Sequence, residues 1–127
     1  MKLTATYDDA QINLKADATS LHELAREILR LHGVCEWPLI KPPIELKAPH
    51  QNFADSLKIE IIGDRIVILL DKNKVIITGS EEMFKKLAQN IEFASENTAS
   101  KHLHVEFYPG HFFLDSKSAP LIITRID

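Results

Sequence analysis

Histidine and carboxylate side chains concentrate near the C-terminal end of the sequence. His102, His104 and Glu106 occupy alternate positions, and His111 follows five residues later. Alternate residues of a β-strand point to the same face, so a strand over residues 102–108 would bring the first three together. Imidazole nitrogen and carboxylate oxygen are zinc and iron ligands, which makes these four residues a candidate metal site. The alternative is a polar sheet face whose histidines hydrogen-bond to their neighbours.

The sequence contains no other pattern that indicates catalysis. Ser56, Ser116 and Ser118 lack the context of a nucleophile elbow. The four glycines are scattered, so no phosphate-binding loop is present. The single cysteine, Cys35, has no local group that would stabilise a thiolate, and it is interpreted as a small buried hydrophobe. We therefore predict no catalytic residues and no cofactor.

The first half of the chain predicts a strand followed by a helix. Residues 11–16 alternate polar and apolar side chains, as in a half-buried strand. Thr19 or Ser20 is predicted to cap the helix, and Ser20 with Glu23 has the spacing of a capping box. Gly33 is predicted to follow its end. The apolar stripe of this helix comprises Leu21, Leu24, Ala25, Ile28 and Leu31.

Three strands rich in isoleucine and valine are predicted to form a meander at the centre of the sheet. They cover residues 57–62, 65–70 and 75–79. Gly63–Asp64 is a two-residue hairpin signal, and residues 71–74 form a polar turn. The middle strand is apolar at every position from 66 to 70, which indicates cover on both faces or a partner interface.

A second helix and a C-terminal group of strands complete the predicted order, β-α-β-β-β-α-β-β. Ser80 is predicted to cap this helix, whose apolar stripe contains Met83, Phe84, Leu87, Ala88 and Ile91. Further strands are predicted over residues 102–108, 111–114 and 121–126, with extra pairing around 35–40. The predicted fold class is α+β, with a mostly antiparallel sheet and two helices packed on one face, in a single domain over residues 1–127.

Composition limits the classes of partner. The chain has 127 residues, 45% of them hydrophobic, and a net charge of −3, which argues against nucleic acid because phosphate binding needs a basic surface. Residues 1–9 contain no apolar signal segment, and the longest apolar runs are strand-sized. We expect a cytoplasmic protein that does not bind membranes or nucleic acid.

The proline-rich segment over residues 41–53 is a candidate contact surface. Its prolines, Pro42, Pro43 and Pro49, disfavour a helix or a central strand. Long ordered loops often carry function, so Glu45 and His50 are candidate partner contacts. The alternative is a surface connection that packs Ile44 and Leu46.

One C-terminal segment resembles a known family. The pattern is His104-x-Glu106-Phe107-Tyr108-Pro109-Gly110-His111-x-Phe113-Leu114, followed by Ser118-x-Pro120-Leu121-Ile122-Ile123. It is similar to the C-terminal signature of the immunity protein family numbered thirty-two of bacterial polymorphic toxin systems. The resemblance covers roughly the last quarter of the chain, and the strands over residues 57–79 agree only in kind.

The resemblance implies an inhibitor and not an enzyme. It implies that the chain binds a cognate toxin domain, encoded by the adjacent gene, and blocks its active site or access to its substrate. The face with His102, His104 and Glu106, together with His111, or the loop with Glu45 and His50, is expected to touch the toxin. Tyr108, Pro109, Gly110 and Pro120 are expected to hold the fold. The alternatives are a small metal-binding protein or metalloenzyme that uses the histidine cluster, and a generic adaptor domain.

Overall fold

A computed structural model describes residues 1–41, 52–96, 102–105 and 114–126. Within these ranges there are two helices, α1 (Ala18–Arg30) and α2 (Glu81–Glu96). The strands of the same ranges are β1 (Leu3–Tyr7), β2 (Ile12–Ala16), β3 (Val34–Pro38), β4 (Asn52–Phe53), β5 (Ser56–Ile61), β6 (Val67–Asp71), β7 (Lys74–Gly79), β8 (His102–Val105) and β9 (Leu121–Arg125).

The strands form two sheets, with five strands in the order β4-β1-β2-β9-β8 and four in the order β3-β5-β7-β6. Among the described pairs, β2–β9 and β5–β7 are parallel and the others are antiparallel. The predicted α+β class with mostly antiparallel pairing is thus confirmed, although the strands are divided between two sheets where one was expected.

The predicted meander is wrong in its pairing. β7 lies between β5 and β6, so Gly63 and Asp64 connect strands that are not neighbours and do not form a hairpin turn. β6 is instead at the edge of its sheet, next to β7. Only one of its faces is covered, since Ile68 is fully buried whereas Leu69 is 43% exposed. The backbone of residues 115–119 bonds along its outer edge, through Asp115 N–H to Ile66 O at 2.8 Å for example, which shields an otherwise open strand.

The turn between β6 and β7 also connects the two sheets. Lys72 and Asn73 both have positive φ, 49° and 65°, as a type I′ hairpin requires. The Asn73 amide donates to the Phe53 carbonyl at 2.9 Å and accepts from the Tyr7 hydroxyl at 2.5 Å. Both of these residues belong to the five-stranded sheet, so one turn residue joins β7 to β1 and β4.

The start of α1 differs from the prediction, whereas the start of α2 agrees with it. Asp17, and not Thr19 or Ser20, caps α1, and its carboxylate accepts from the Ser20 amide at 2.7 Å. The predicted capping box fails because the Ser20 hydroxyl accepts from the backbone amide of Lys2 at 2.8 Å. At α2 the Ser80 hydroxyl accepts from the Met83 amide at 3.2 Å, so the predicted cap is confirmed.

Replacing Asp17 by alanine is expected to lower the free energy of unfolding by about 1 kcal/mol, because the first turn of α1 loses its acceptor. Asp17→Asn keeps an acceptor, so it should lower the free energy of unfolding by only about a few tenths of a kcal/mol. The hydrogen bond from the Ser20 amide also holds the pKa of Asp17 below its ordinary value. The folded-state pKa is therefore the lower one, so this stabilisation is complete above about pH 4 and is lost as pH falls through the folded pKa.

Urea titrations between pH 2 and pH 7 check both points. Asp17→Asn should flatten the acid limb of the stability profile while leaving the neutral value nearly unchanged. An acid limb identical in wild type and Asp17→Asn would contradict the assignment of the cap.

Apolar side chains of both sheets and both helices form one continuous core. α1 and α2 pack against each other, with α1 touching β2 and α2 touching β8 and β9. The helices therefore lie against the inner face of the five-stranded sheet. Neither described helix is long and apolar enough to cross a membrane.

Candidate functional site

The two described histidines of the predicted cluster lie on β8, the last strand of the five-stranded sheet. His102 and His104 are exposed, Leu103 is half-buried against the core, and Val105 is 3% exposed. The alternation that the sequence predicts is therefore confirmed over residues 102–105, and both imidazoles lie on the outer face of the sheet.

Residues of β9 and β2 continue this outer face. Across the strands, Thr124 is opposite His102 on one side and Lys15 on the other. In the next row, Ile122 is opposite His104 and Asn13. These six residues line a shallow concavity of about 380 Å³. We call this surface the histidine face; it comprises Asn13, Lys15, His102, His104, Ile122 and Thr124.

Hydrogen-bond donors and acceptors, without carboxylates, characterise the histidine face. The His102 Nδ1 atom lies 3.1 Å from the Thr124 hydroxyl oxygen, a contact that orients the imidazole ring. Lys15 is exposed at the same level of the sheet. The face as defined by its six described residues carries one permanent cation and two imidazoles around the apolar side chain of Ile122.

A comparison with known protein families finds a match for the segment that contains His102 and His104. Residues 74–126 match the family model of Immunity protein 32. The resemblance seen in the sequence is thereby confirmed over this range. No curated protein matches the chain. The immunity-protein match begins with β7 and includes α2, β8 and β9, whereas Lys15 and Asn13 of the histidine face lie on β2, outside it.

Two residues of the family-like signature have structural contacts. The Ser118 hydroxyl accepts from the Ile68 amide at 3.0 Å, which fixes the segment before β9 against β6. The Pro120 carbonyl accepts from the Ile12 amide at 2.9 Å, immediately before the parallel pairing of β2 and β9 begins. These contacts place the start of β9 relative to both sheets.

The outer face of the four-stranded sheet has charges that pair among themselves. Glu36 accepts from the Ser56 hydroxyl at 2.8 Å and lies 3.2 Å from the Lys74 ammonium. The hydrogen bond from Ser56, followed by that from Lys74, lowers the pKa of Glu36. Three residues after β3, Lys41 pairs with Asp55 and lowers the pKa of that carboxyl. This surface therefore differs from the histidine face, where Lys15 has no ion pair with another described residue.

A groove between the two helices exposes apolar side chains. His22 of α1 contacts the Glu92 carboxylate of α2 at its side. Leu29 is 54% exposed and Phe93 is 66% exposed, and both line its volume of about 460 Å³. The sequence offered one signal for this groove, a phenylalanine outside the apolar stripe of α2.

The remaining predicted site residues lie outside the described ranges. They are the predicted contact residues Glu45, His50, Glu106 and His111 and the predicted structural residues Tyr108, Pro109 and Gly110. Among the residues that are described, no three histidine, cysteine, aspartate or glutamate side chains come together to hold a metal ion. The metal site of the sequence analysis requires Glu106 and His111, so it stays a prediction.

Proposed function

We propose that the protein is an immunity protein that binds a cognate toxin domain in the cytoplasm and blocks the toxin's active site or its access to substrate. The match of residues 74–126 to Immunity protein 32 carries this proposal. An inhibitor of this kind needs a complementary surface and no catalytic group of its own, in keeping with a sequence that contains no nucleophile or phosphate-binding motif.

The histidine face is the surface that we assign to the toxin. Its concavity opens to solvent on the side of the sheet opposite the helices, and part of it lies in the segment that matches the immunity-protein family. Glu106 and His111 extend the same contact in this proposal, and Glu45 with His50 contributes from the proline-rich segment. Tyr108, Pro109, Gly110 and Pro120 hold the fold and leave toxin recognition to the exposed side chains.

The proposed partner is a protein, encoded by the adjacent gene, and not a nucleic acid or a membrane. The net charge of −3 provides few cations for phosphate contacts. A protein partner can be bound through a small set of well-packed or charged side chains at the centre of an interface. This proposal sets no limit on the chemical class of the toxin, since inhibition requires only that its active site be covered.

Co-expression with the adjacent gene's product, trimmed to its C-terminal domain, tests the proposal. With the only affinity tag on this chain, we expect recovery of a one-to-one complex, and growth of the host only when this chain is present. A toxin domain from an unrelated system is the control and should be neither recovered nor neutralised. Two folded proteins that form no complex, with no rescue of growth, would refute the immunity function.

A further inference from the structure

The alternation of backbone hydrogen bonds along β3 leaves one side of this strand open. β3 ends the four-stranded sheet and pairs antiparallel with β5. The Ile61 amide donates to the Gly33 carbonyl at 2.7 Å, and the Leu39 amide donates to the Asp55 carbonyl at 3.0 Å. Successive residues of an antiparallel strand turn their backbone groups alternately toward and away from the neighbouring strand. The odd-numbered residues of 33–39 therefore bond to β5, and the even-numbered ones face outward.

Val34 and Glu36 turn their N–H and C=O groups to this open side. No described residue bonds to these four groups. Farther along the same side, Pro38 has no amide hydrogen, and the Ile40 amide donates to the Leu3 carbonyl of β1 at 2.8 Å. The Val34 side chain is 53% exposed, so the edge is accessible to solvent. Two donors and two acceptors thus lie open at the spacing of a β-strand.

Two other sheet edges of the described chain are protected. The edge of β6 bonds to residues 115–119, and β4 contains only two residues. Folded proteins commonly cover or shorten their edges, because an open row of backbone N–H and C=O groups can bind another strand. An extended strand is therefore the occupant that the open groups of β3 fit.

We propose that β3 pairs antiparallel with β3 of a second copy of this chain, about a two-fold axis at Cys35. In this register, Val34 of each copy lies opposite Glu36 of the other, so that all four open groups of each strand are bonded. An isologous contact of this kind uses the same surface of both copies. The pairing joins two four-stranded sheets into one continuous sheet.

The sequence of β3 favours this register over the neighbouring ones. An axis at Glu36 would set that carboxylate opposite itself, and Val34 opposite Pro38, which cannot donate. An axis at Val34 would set Glu36 opposite His32, which lies outside the strand. Only the axis at Cys35 uses all the open donors and acceptors without placing like charges opposite each other.

The side chains around the axis permit two copies to approach. The Glu36 carboxylate lies 3.2 Å from the Lys74 ammonium of its own chain, so its charge is compensated within each copy. Cys35 and Trp37 are half-buried on the other face of the strand. The contact belongs to the four-stranded sheet, whereas the histidine face belongs to the five-stranded sheet. The inference is therefore independent of the proposed function and of toxin binding.

Hydrogen exchange at two protein concentrations tests the alternation and the pairing together. Each backbone hydrogen bond contributes modestly, so a weak dimer is expected and concentration is the variable. At about 10 μM, the Val34 and Glu36 amides should exchange rapidly, whereas the Cys35 and Trp37 amides, which bond to β5, should be protected. At about 1 mM, exchange of the first two should slow at least about fivefold. Rapid exchange of both at 1 mM, with sedimentation showing a monomer, would overturn the proposal.

Val34→Pro removes one outward amide hydrogen that has no partner within the chain. It should weaken dimerisation at least about tenfold in sedimentation experiments, since proline cannot donate to a neighbouring strand. Val34→Ala keeps the amide and is the matched control, with an expected change of less than about threefold. Thermal melts verify that both variants are folded. A folded Val34→Pro that dimerises as tightly as Val34→Ala would contradict the backbone pairing.

Cys35 provides a test in the wild-type protein that does not depend on a variant. In the proposed register the two Cys35 residues form a non-hydrogen-bonded pair with Cα atoms about 4.5 Å apart, within the range of disulfides. Diamide, which takes up the two thiol hydrogens as the disulfide forms, should convert the native protein to a covalent dimer faster than the urea-unfolded protein. Equal rates would overturn the proposal. Protection of the Val34 and Glu36 amides only after a toxin domain is added would assign the edge to the toxin and exclude the second copy.

Discussion

Replacing Phe84 by alanine is expected to lower the free energy of unfolding by about 4 kcal/mol, because it leaves a large cavity in the core. The same replacement at Phe93 should change this free energy by less than about 0.5 kcal/mol. Both residues lie on α2, but Phe84 is 2% exposed and Phe93 is 66% exposed. The pair thus compares one chemical change in the same helix, with burial as the variable.

Urea denaturation of the two variants and the wild type measures this difference. Equal destabilisation by both replacements would contradict the described packing of α2. The comparison also separates folding from binding. A stability of 5–15 kcal/mol is typical of a domain, so Phe84→Ala should reduce protection of the host by unfolding the protein, whereas any loss in Phe93→Ala would report on the helix groove.

Local patterns in the sequence were sufficient to predict several elements. The strand over residues 11–16, the helix after Ser80 and the strand over 121–126 all occur in the structure, as β2, α2 and β9. Each is defined by its own periodicity and, for α2, by a capping hydroxyl that bonds to the next turn. Such signals depend on neighbours within one or two turns, so a single sequence contains them.

Pairing between distant strands could not be predicted in the same way. β9 pairs in parallel with β2, and β7 separates β5 from β6. These arrangements depend on how the helices and the second sheet share one core, which no local pattern records. β1 was not predicted, because its alternation of apolar residues with threonine covers only five residues close to the N-terminus.

The start of α1 shows how a tertiary contact decides between local alternatives. Asp17, Thr19 and Ser20 are all suitable capping residues, and the sequence favoured Ser20 because of its spacing from Glu23. In the fold, the Ser20 hydroxyl accepts from the Lys2 amide, a residue of the N-terminal segment. Asp17 is then the residue whose side chain accepts from the first turn.

Only the part of the candidate site that lies on one strand could be predicted from the sequence. The alternation around residues 102–105 indicates that His102 and His104 share a face, and the structure confirms it. Lys15 and Thr124 join them only because β2, β9 and β8 are neighbours in one sheet. The set of residues that forms this surface therefore depends on the sheet topology.

Arg125 connects β9 to the end of α2, and its removal should have the second-largest effect on stability. Its side chain is buried, at 8% exposure, and its Nη1 donates to the Ser95 carbonyl at 3.1 Å and the Ala94 carbonyl at 3.5 Å. The last turn of α2 contains no basic residue of its own. A cation near the last carbonyls of a helix is favourable, and here β9 supplies it.

Arg125→Ala is therefore expected to lower the free energy of unfolding by about 3 kcal/mol, because two carbonyls lose a charged donor and the buried stem is removed. Arg125→Lys keeps the charge without the planar fork and should cost roughly half as much. Arg30→Ala, at a side chain that is 63% exposed, is the control and should stay within about 0.5 kcal/mol. Denaturant titration gives these values.

Hydrogen exchange then localises the effect of Arg125→Ala. Amide protection should fall first in the last turn of α2 and at the β8–β9 pairing, because Arg125 joins the two elements directly after Thr124. If protection is lost evenly over the molecule, Arg125 stabilises the fold as a whole and not this junction. Local loss would mean that the residue that caps α2 also holds β9 in the histidine face, so toxin binding and stability would be coupled through β9.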